Sequence, residues 1–103
     1  MERIEKLKEF LMSNPEDSFL QHAIALEYIK LGYDEPAKSL FEEILNREPN
    51  YIGSYYHLAK LLERNNKTEE AVAVYVKGME EAKKADENHA FGELRGAWEE
   101  LTF

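Results

Sequence analysis

Two stretches of this 103-residue sequence repeat one another at a constant spacing of 34 positions. The first copy contributes small, apolar and helix-ending residues, namely Ile24, Ala25, Tyr28, Ala37, Phe41 and Pro49. Their counterparts 34 positions later are Leu58, Ala59, Leu62, Ala71, Tyr75 and Lys83. A fixed period of this length indicates a stacked repeat, in which each unit buries its apolar face on its neighbour.

The repeated residues resemble the tetratricopeptide repeat, a helix-turn-helix unit of about 34 residues. The chain departs from the family pattern at three positions, since Gln21 replaces Trp, Gly78 replaces a small Ala and Lys83 replaces Pro. The resemblance is to the small, stand-alone bacterial proteins of this family. It implies an all-α fold, in which antiparallel helix-turn-helix repeats stack into a short right-handed α-solenoid of about six helices.

The length of 103 residues predicts a single domain over residues 1–103. Its parts are an N-terminal half-repeat helix (2–12), repeat 1 (18–51), repeat 2 (52–85) and a C-terminal capping helix (87–101). Apolar periodicity predicts helices over residues 2–12, 17–31, 35–47, 51–64, 69–84 and 87–101. In the first helix, the stripe that is expected to face its neighbour consists of Ile4, Leu7, Phe10 and Leu11.

Local signals support the predicted helix ends. Asp17 or Ser18 can cap the second helix by accepting a backbone N–H, and Thr68 can do the same for the fifth. Gly32 suits the left-handed conformation that ends a helix, and Asn66 tolerates it. Gly78, inside a predicted helix, indicates a close helix crossing, because Gly weakens a helix by about 1 kcal/mol relative to Ala.

Composition excludes several classes of function. The chain has 21 acidic and 13 basic residues, for a net charge of −8, so we expect no nucleic-acid partner. It has no cysteine, which excludes disulfides and thiol chemistry. We also expect no membrane association, because no apolar run approaches the roughly 18 residues of a membrane span. The start of the chain has no signal-peptide core, so a cytoplasmic location is the expectation.

The sequence contains no motif that predicts catalysis. No Gly-rich phosphate loop, His-Glu-x-x-His run or Gly-x-Ser-x-Gly turn is present. We therefore predict no catalytic residues, no cofactor and a protein that is not an enzyme.

The family resemblance implies a function in binding proteins. In this family the first helix of each repeat lines a concave groove that holds a peptide or helix of a partner protein. The positions that point into the groove correspond here to Phe19, His22, Leu26, Ile29, Tyr56, Lys60 and Glu63. The expected function is that of a scaffold or adaptor, and apolar anchors on the partner would suit such a surface.

Two alternatives stay open. Exposed edge helices or the groove itself could pair with a second copy, which would make the protein a self-associating homodimer. The three histidines, His22, His57 and His89, also map to one ring of family groove positions, with Glu93 beside them. Because imidazoles bind Zn, Ni and Cu ions, a metal or anion site is the third hypothesis.

Overall fold

A computed structural model describes residues 2–103, with side chains from Arg3 onward. This part of the chain contains six α-helices and no β-strand. The helices are α1 (Glu2–Ser13), α2 (Ser18–Lys30), α3 (Asp34–Arg47), α4 (Gly53–Arg64), α5 (Thr68–Lys84) and α6 (Asn88–Thr102). Each boundary lies within 2 residues of its predicted position.

The helices form two compact units, an N-terminal unit that ends at Arg47 and a C-terminal unit from Glu48 to Phe103. In the N-terminal unit, α2 packs against both α1 and α3. In the C-terminal unit, α5 packs against both α4 and α6, and α4 also contacts α6. A central helix with two neighbours needs apolar residues on most of its surface. In α2, accordingly, only Phe19 and Lys30 are exposed.

Small residues lie at the centre of each helical hairpin. Ala25 and Ala37 in the N-terminal unit are fully buried, and so are their counterparts Ala59 and Ala71 in the C-terminal unit. The aromatic pair 34 residues apart, Phe41 and Tyr75, is also fully buried. Equivalent sequence positions therefore occupy equivalent core positions in the two hairpins.

The pair Tyr28 and Leu62 is less alike. Leu62 is buried, whereas Tyr28 is half-buried. The Tyr28 ring lies beside Tyr33, and the Lys8 ammonium is 5.3 Å from the centroid of the Tyr28 ring. The difference follows from chemistry, because a tyrosine keeps its polar tip near solvent while its ring packs on apolar atoms.

Most of the predicted helix ends are confirmed. Asp17 caps α2, with its carboxylate accepting a hydrogen bond from the Leu20 backbone N–H at 3.0 Å. Gly32 (φ 79°) and Asn66 (φ 62°) both adopt the left-handed conformation. The prediction for Thr68 is wrong. Thr68 is the first residue of α5, and the capping position before it is held by Lys67 without a side-chain hydrogen bond.

The predicted apolar stripe of α1 is partly wrong. Ile4 is buried and Leu7 and Leu11 are half-buried, but the Phe10 side chain is 60% exposed. At 100° per residue, Phe10 lies well to one side of the line through Ile4, Leu7 and Leu11. The packing of α1 on α2 covers only that narrower stripe.

The departure of Gln21 from the family pattern has a structural explanation in the N-terminal unit. Gln21 is buried, and its amide donates to the Glu43 carboxylate at 2.9 Å. The Arg47 guanidinium donates to the Gln21 amide oxygen at 2.6 Å and to the Ser18 hydroxyl at 2.8 Å. Hydrogen bonds to charged groups stabilise a fold by about 1.5–3 kcal/mol each, so this network joins the start of α2 firmly to the end of α3.

Gly78 marks a close crossing in the C-terminal unit, as the sequence predicts. A Cβ atom added at Gly78 would lie 2.7 Å from the Tyr55 Cβ and 3.1 Å from a Leu94 methyl carbon. The backbone of α5 therefore lies directly against side chains of α4 and α6. By contrast, a Cβ added at Gly92 in α6 meets no atom within 4 Å.

We predict opposite effects of alanine at these two glycines. Gly78→Ala gains helix propensity but overpacks the crossing, so the free energy of unfolding falls by roughly 1–2 kcal/mol. Gly92→Ala gains helix propensity without a clash, so it raises the free energy of unfolding by about 0.5–1 kcal/mol. Urea denaturation followed by circular dichroism measures both. Equal stabilisation by the two substitutions would contradict the close crossing.

Candidate functional site

The predicted binding residues of the N-terminal unit lie along one face of α2. Phe19, His22, Leu26 and Ile29 follow one another at spacings of 3, 4 and 3 residues, which places them on one side of the helix. The Phe19 side chain is 69% exposed, and the other three are half-buried. The His22 imidazole packs edge-on against the Phe41 ring, with 5.6 Å between centroids. This face is apolar and presents one largely exposed aromatic ring.

The predicted residues of the C-terminal unit lie along one face of α4. The Lys60 ammonium is 5.7 Å from the centroid of the Tyr56 ring and 3.7 Å from the Glu63 carboxylate. Tyr56 is 36% exposed, and both partners of the Lys60–Glu63 pair keep contact with solvent. The Lys60 ammonium is thus held on this helix by two contacts. One is a cation–π contact with the Tyr56 ring, and the other is an ion pair with the Glu63 carboxylate.

Tyr75 completes this cluster and was not among the predicted site residues. Its ring is fully buried in α5, while its hydroxyl donates a hydrogen bond to the Glu63 carboxylate. Burial, with this hydrogen bond and the nearby charge of Glu63, raises the pKa of Tyr75 well above its usual range. A sequence signal existed, because a buried tyrosine that replaces Phe41 of the first copy needs a partner for its hydroxyl.

Helices α4 and α6 also influence one another electrostatically. His57 is half-buried on α4, and its burial lowers the pKa of its imidazole, while the Glu93 carboxylate on α6 acts in the opposite direction. The Glu100 carboxylate on α6 likewise contributes to the raised pKa of Tyr75. The charges of Glu93 and Glu100 on α6 thus reach groups on α4 and α5, and α6 contacts both of these helices.

The three histidines have different surroundings. His22 packs on Phe41, His57 packs edge-on against Tyr56 with 5.8 Å between centroids, and His89 is exposed beside Glu93. Among residues 2–103, no three or more His, Cys, Asp or Glu side chains are grouped so that they could hold a metal ion. The structure thus does not gather the three-histidine site that the sequence suggested.

We predict that His57 makes the protein less stable in mild acid. Because burial lowers the folded-state pKa of His57, the unfolded chain binds the proton more readily. The resulting loss of stability sets in as the pH falls through about 6.5, the ordinary pKa of histidine, and continues down to the lowered folded-state value. Replacing His57 by Gln should therefore reduce the difference in unfolding free energy between about pH 7.5 and about pH 5.5.

Urea denaturation at the two pH values measures this effect. Carboxylates titrate mainly at lower pH, so they interfere little in this window. His89→Gln is the matched control, because the His89 side chain is 92% exposed. An unchanged pH dependence in the His57→Gln protein would show that this imidazole is not the group responsible.

Within the described residues, no helix combines the length and the apolar character that crossing a lipid bilayer requires.

Comparison with known proteins gives consistent matches to one family. Two family models described as "Tetratricopeptide repeat" match residues 20–51 and residues 40–73. The solution structure of a tetratricopeptide repeat domain protein from Salinibacter ruber is similar, with a TM-score of 0.81 and 38% identity. That match covers 84% of this chain and 88% of the Salinibacter chain.

Two further matches are more distant or partial. The TPR2B domain of yeast Sti1, solved as a complex with pHsp70, has a TM-score of 0.88 at 14% identity, covering 96% of this chain and 79% of that one. Mouse aspartyl/asparaginyl beta-hydroxylase is 30% identical over 74 residues, which are 72% of this chain. The match spans only 10% of the length of that hydroxylase. Together with the six helices, these likenesses confirm the predicted all-α helical-repeat fold class.

Proposed function

We propose that this chain, which belongs to the tetratricopeptide repeat family, is a non-catalytic scaffold or adaptor that binds a peptide or helix of a partner protein. The proposed contact residues are those of the α2 face (Phe19, His22, Leu26, Ile29) and of the α4 face (Tyr56, Lys60, Glu63). Family membership supports the general role, and the exposure of Phe19 and Tyr56 supports their assignment as contact residues.

The observation that carries the proposal is the exposure of an aromatic ring on each of the two faces. Phe19 is 69% exposed and Tyr56 is 36% exposed, so both leave apolar surface in contact with water. Aromatic residues dominate the binding energy of protein interfaces, because they bury much area with few rotatable bonds. Exposed rings beside polar groups are therefore what a peptide-binding surface requires.

A solved relative supports the same conclusion. The TPR2B domain of yeast Sti1 has this fold and is described as a complex with pHsp70. The fold is thus compatible with partner binding, while the residues that select a partner belong to each chain separately. The match to the mouse hydroxylase covers too small a part of that protein to suggest its activity here.

We predict that loss of the two exposed rings weakens binding. Peptides selected from an unbiased display library against the wild-type protein serve as ligands, and calorimetry measures their affinity. Phe19→Ala and Tyr56→Ala should each weaken binding, and the double substitution should weaken it by about 2–4 kcal/mol, as expected for aromatic hot spots. Helicity should be unchanged, because neither ring is part of a buried core.

The matched control is Tyr33→Ala with Phe103→Ala, which removes two exposed aromatic rings outside the proposed faces. This control should bind the selected peptides as wild type does. A library that yields no ligand, or ligands that bind equally to the Phe19/Tyr56 double variant, would contradict the proposal.

Self-association is the second candidate, and exposed apolar side chains on α1 favour it. Phe10 is 60% exposed and Met12 is 82% exposed on a helix that packs against α2. Light scattering across a dilution series of the same protein samples separates the two candidates. A mass that stays at the 12.0 kDa of one chain removes this candidate, and a mass that doubles with concentration supports it.

A further inference from the structure

The C-terminal unit presents a surface that we name the α4/α6 face. It consists of Tyr56, Lys60 and Glu63 on α4 and of Glu93, Gly96 and Glu100 on α6. The α6 residues follow at spacings of 3 and 4, so they share one side of that helix. The charge of Glu93 acts on His57 of α4, and the charge of Glu100 acts on the Tyr75 hydroxyl that binds Glu63. Because α4 and α6 also contact one another, the two rows of side chains border one surface.

The α4/α6 face is acidic. It carries three carboxylates and one ammonium, and that ammonium, on Lys60, is already paired with Glu63. Glu100 forms no ion pair with Lys or Arg in the part of the chain that the structure describes. Glu93 lies 3.7 Å from the imidazole of exposed His89 and likewise has no Lys or Arg partner there. At least two carboxylates thus remain available to a cation from outside.

The cluster around Tyr56 shows how a cation is held on this face. The Lys60 ammonium lies over the Tyr56 ring and beside the Glu63 carboxylate. The Glu63 carboxylate is itself oriented by the hydroxyl of the buried Tyr75. A carboxylate fixed in this way loses less conformational freedom when it pairs, which favours binding. Arginine suits such a site even better than lysine, because its planar guanidinium stacks on aromatic faces and pairs with carboxylates at two points.

The middle of the α6 row has open space beside it. Gly96 is half-buried, yet a Cβ added there would meet no atom within 4 Å, so there is room for a small group beside the helix backbone. The open position lies between Glu93 and Glu100, one turn from each. A partner side chain or helix can therefore approach α6 closely with its cations next to both carboxylates.

We propose that the α4/α6 face binds a basic segment of a partner protein, with Lys or Arg side chains that pair with Glu93 and Glu100. This inference rests on the proposed function and specifies its partner by charge. The negative charge of the face favours a basic segment over an acidic one, because an acidic segment would meet three carboxylates and one ammonium that is already paired. Charge complementarity of this kind sets partner selection and association rate more than total affinity.

Two synthetic amphipathic peptides test the proposal. They share length and apolar residues, but the polar positions carry Lys and Arg in one and Glu in the other. Calorimetry with the full chain at about 0.15 M salt, where the Debye length is about 8 Å, limits attraction by distant charges. The basic peptide should bind at least about tenfold more tightly than the acidic one, as like-charge contacts are costly.

Matched variants then locate the contact. Glu93→Gln with Glu100→Gln should lower the affinity for the basic peptide about fivefold or more, a typical effect for two ion pairs at an interface. Glu69→Gln with Glu87→Gln removes the same charge from exposed positions outside the face and should change affinity less than about twofold. Circular dichroism confirms that all variants keep their helices.

The contrary results are distinct from those that test the proposed function. Equal weakening by both variant pairs would show attraction to the net charge alone and would overturn the proposal. Tighter binding of the acidic peptide, or no binding of the basic one, would also overturn it. The display experiment would still support an interaction module if its selected ligands are neutral or acidic and depend on Phe19 and Tyr56.

Discussion

The close approach of α5 to its neighbours at Gly78 is the constraint on which the C-terminal unit depends. Because Gly78 has no side chain, the Tyr55 ring and the Leu94 side chain can both reach the α5 backbone. Tyr55 is held in this position by its hydroxyl, which donates to the Pro49 carbonyl at 2.6 Å. Burial, with the charges of Glu81 and Glu80, raises the pKa of Tyr55 to about 12, so the hydroxyl remains a donor across the physiological pH range. One glycine thus lets α4, α5 and α6 share a single core.

Buried polar tips connect that core to the proposed binding surface. Tyr75 packs its ring in the core and directs its hydroxyl to Glu63, so core packing positions a surface carboxylate. The N-terminal unit uses a similar device, since buried Gln21 bonds to both Glu43 and Arg47. An unpaired buried polar group costs about 1–3 kcal/mol, so each of these bonds selects one arrangement of its helices. The packing beneath the surface thus helps to set the position of the Glu63 carboxylate.

The fold could be predicted from the sequence because it depends on spacing. The 34-residue period located both hairpins, and helix-ending residues such as Gly32 located the turns. The sequence wrongly predicted that Phe10 of α1 faces the neighbouring helix. A helix with one neighbour buries fewer positions than its apolar pattern contains. The Tyr75–Glu63 bond and the Gln21–Arg47 bond were missed, since each joins two helices through side-chain directions that spacing alone does not give. The assignment of the binding faces came from the family resemblance and stays a prediction.

The most direct test of this account is a nuclear Overhauser measurement in the C-terminal unit. We expect a strong cross-peak between the α-protons of Gly78 and the β-protons of Tyr55, because the Gly78 backbone lies directly against the Tyr55 side chain at this crossing. A weaker cross-peak should link Gly78 to the Leu94 methyl groups. If neither is observed in the folded protein, α5 does not lie against α4 and α6 as described, and the position of the Tyr75 hydroxyl beside Glu63 loses its structural basis.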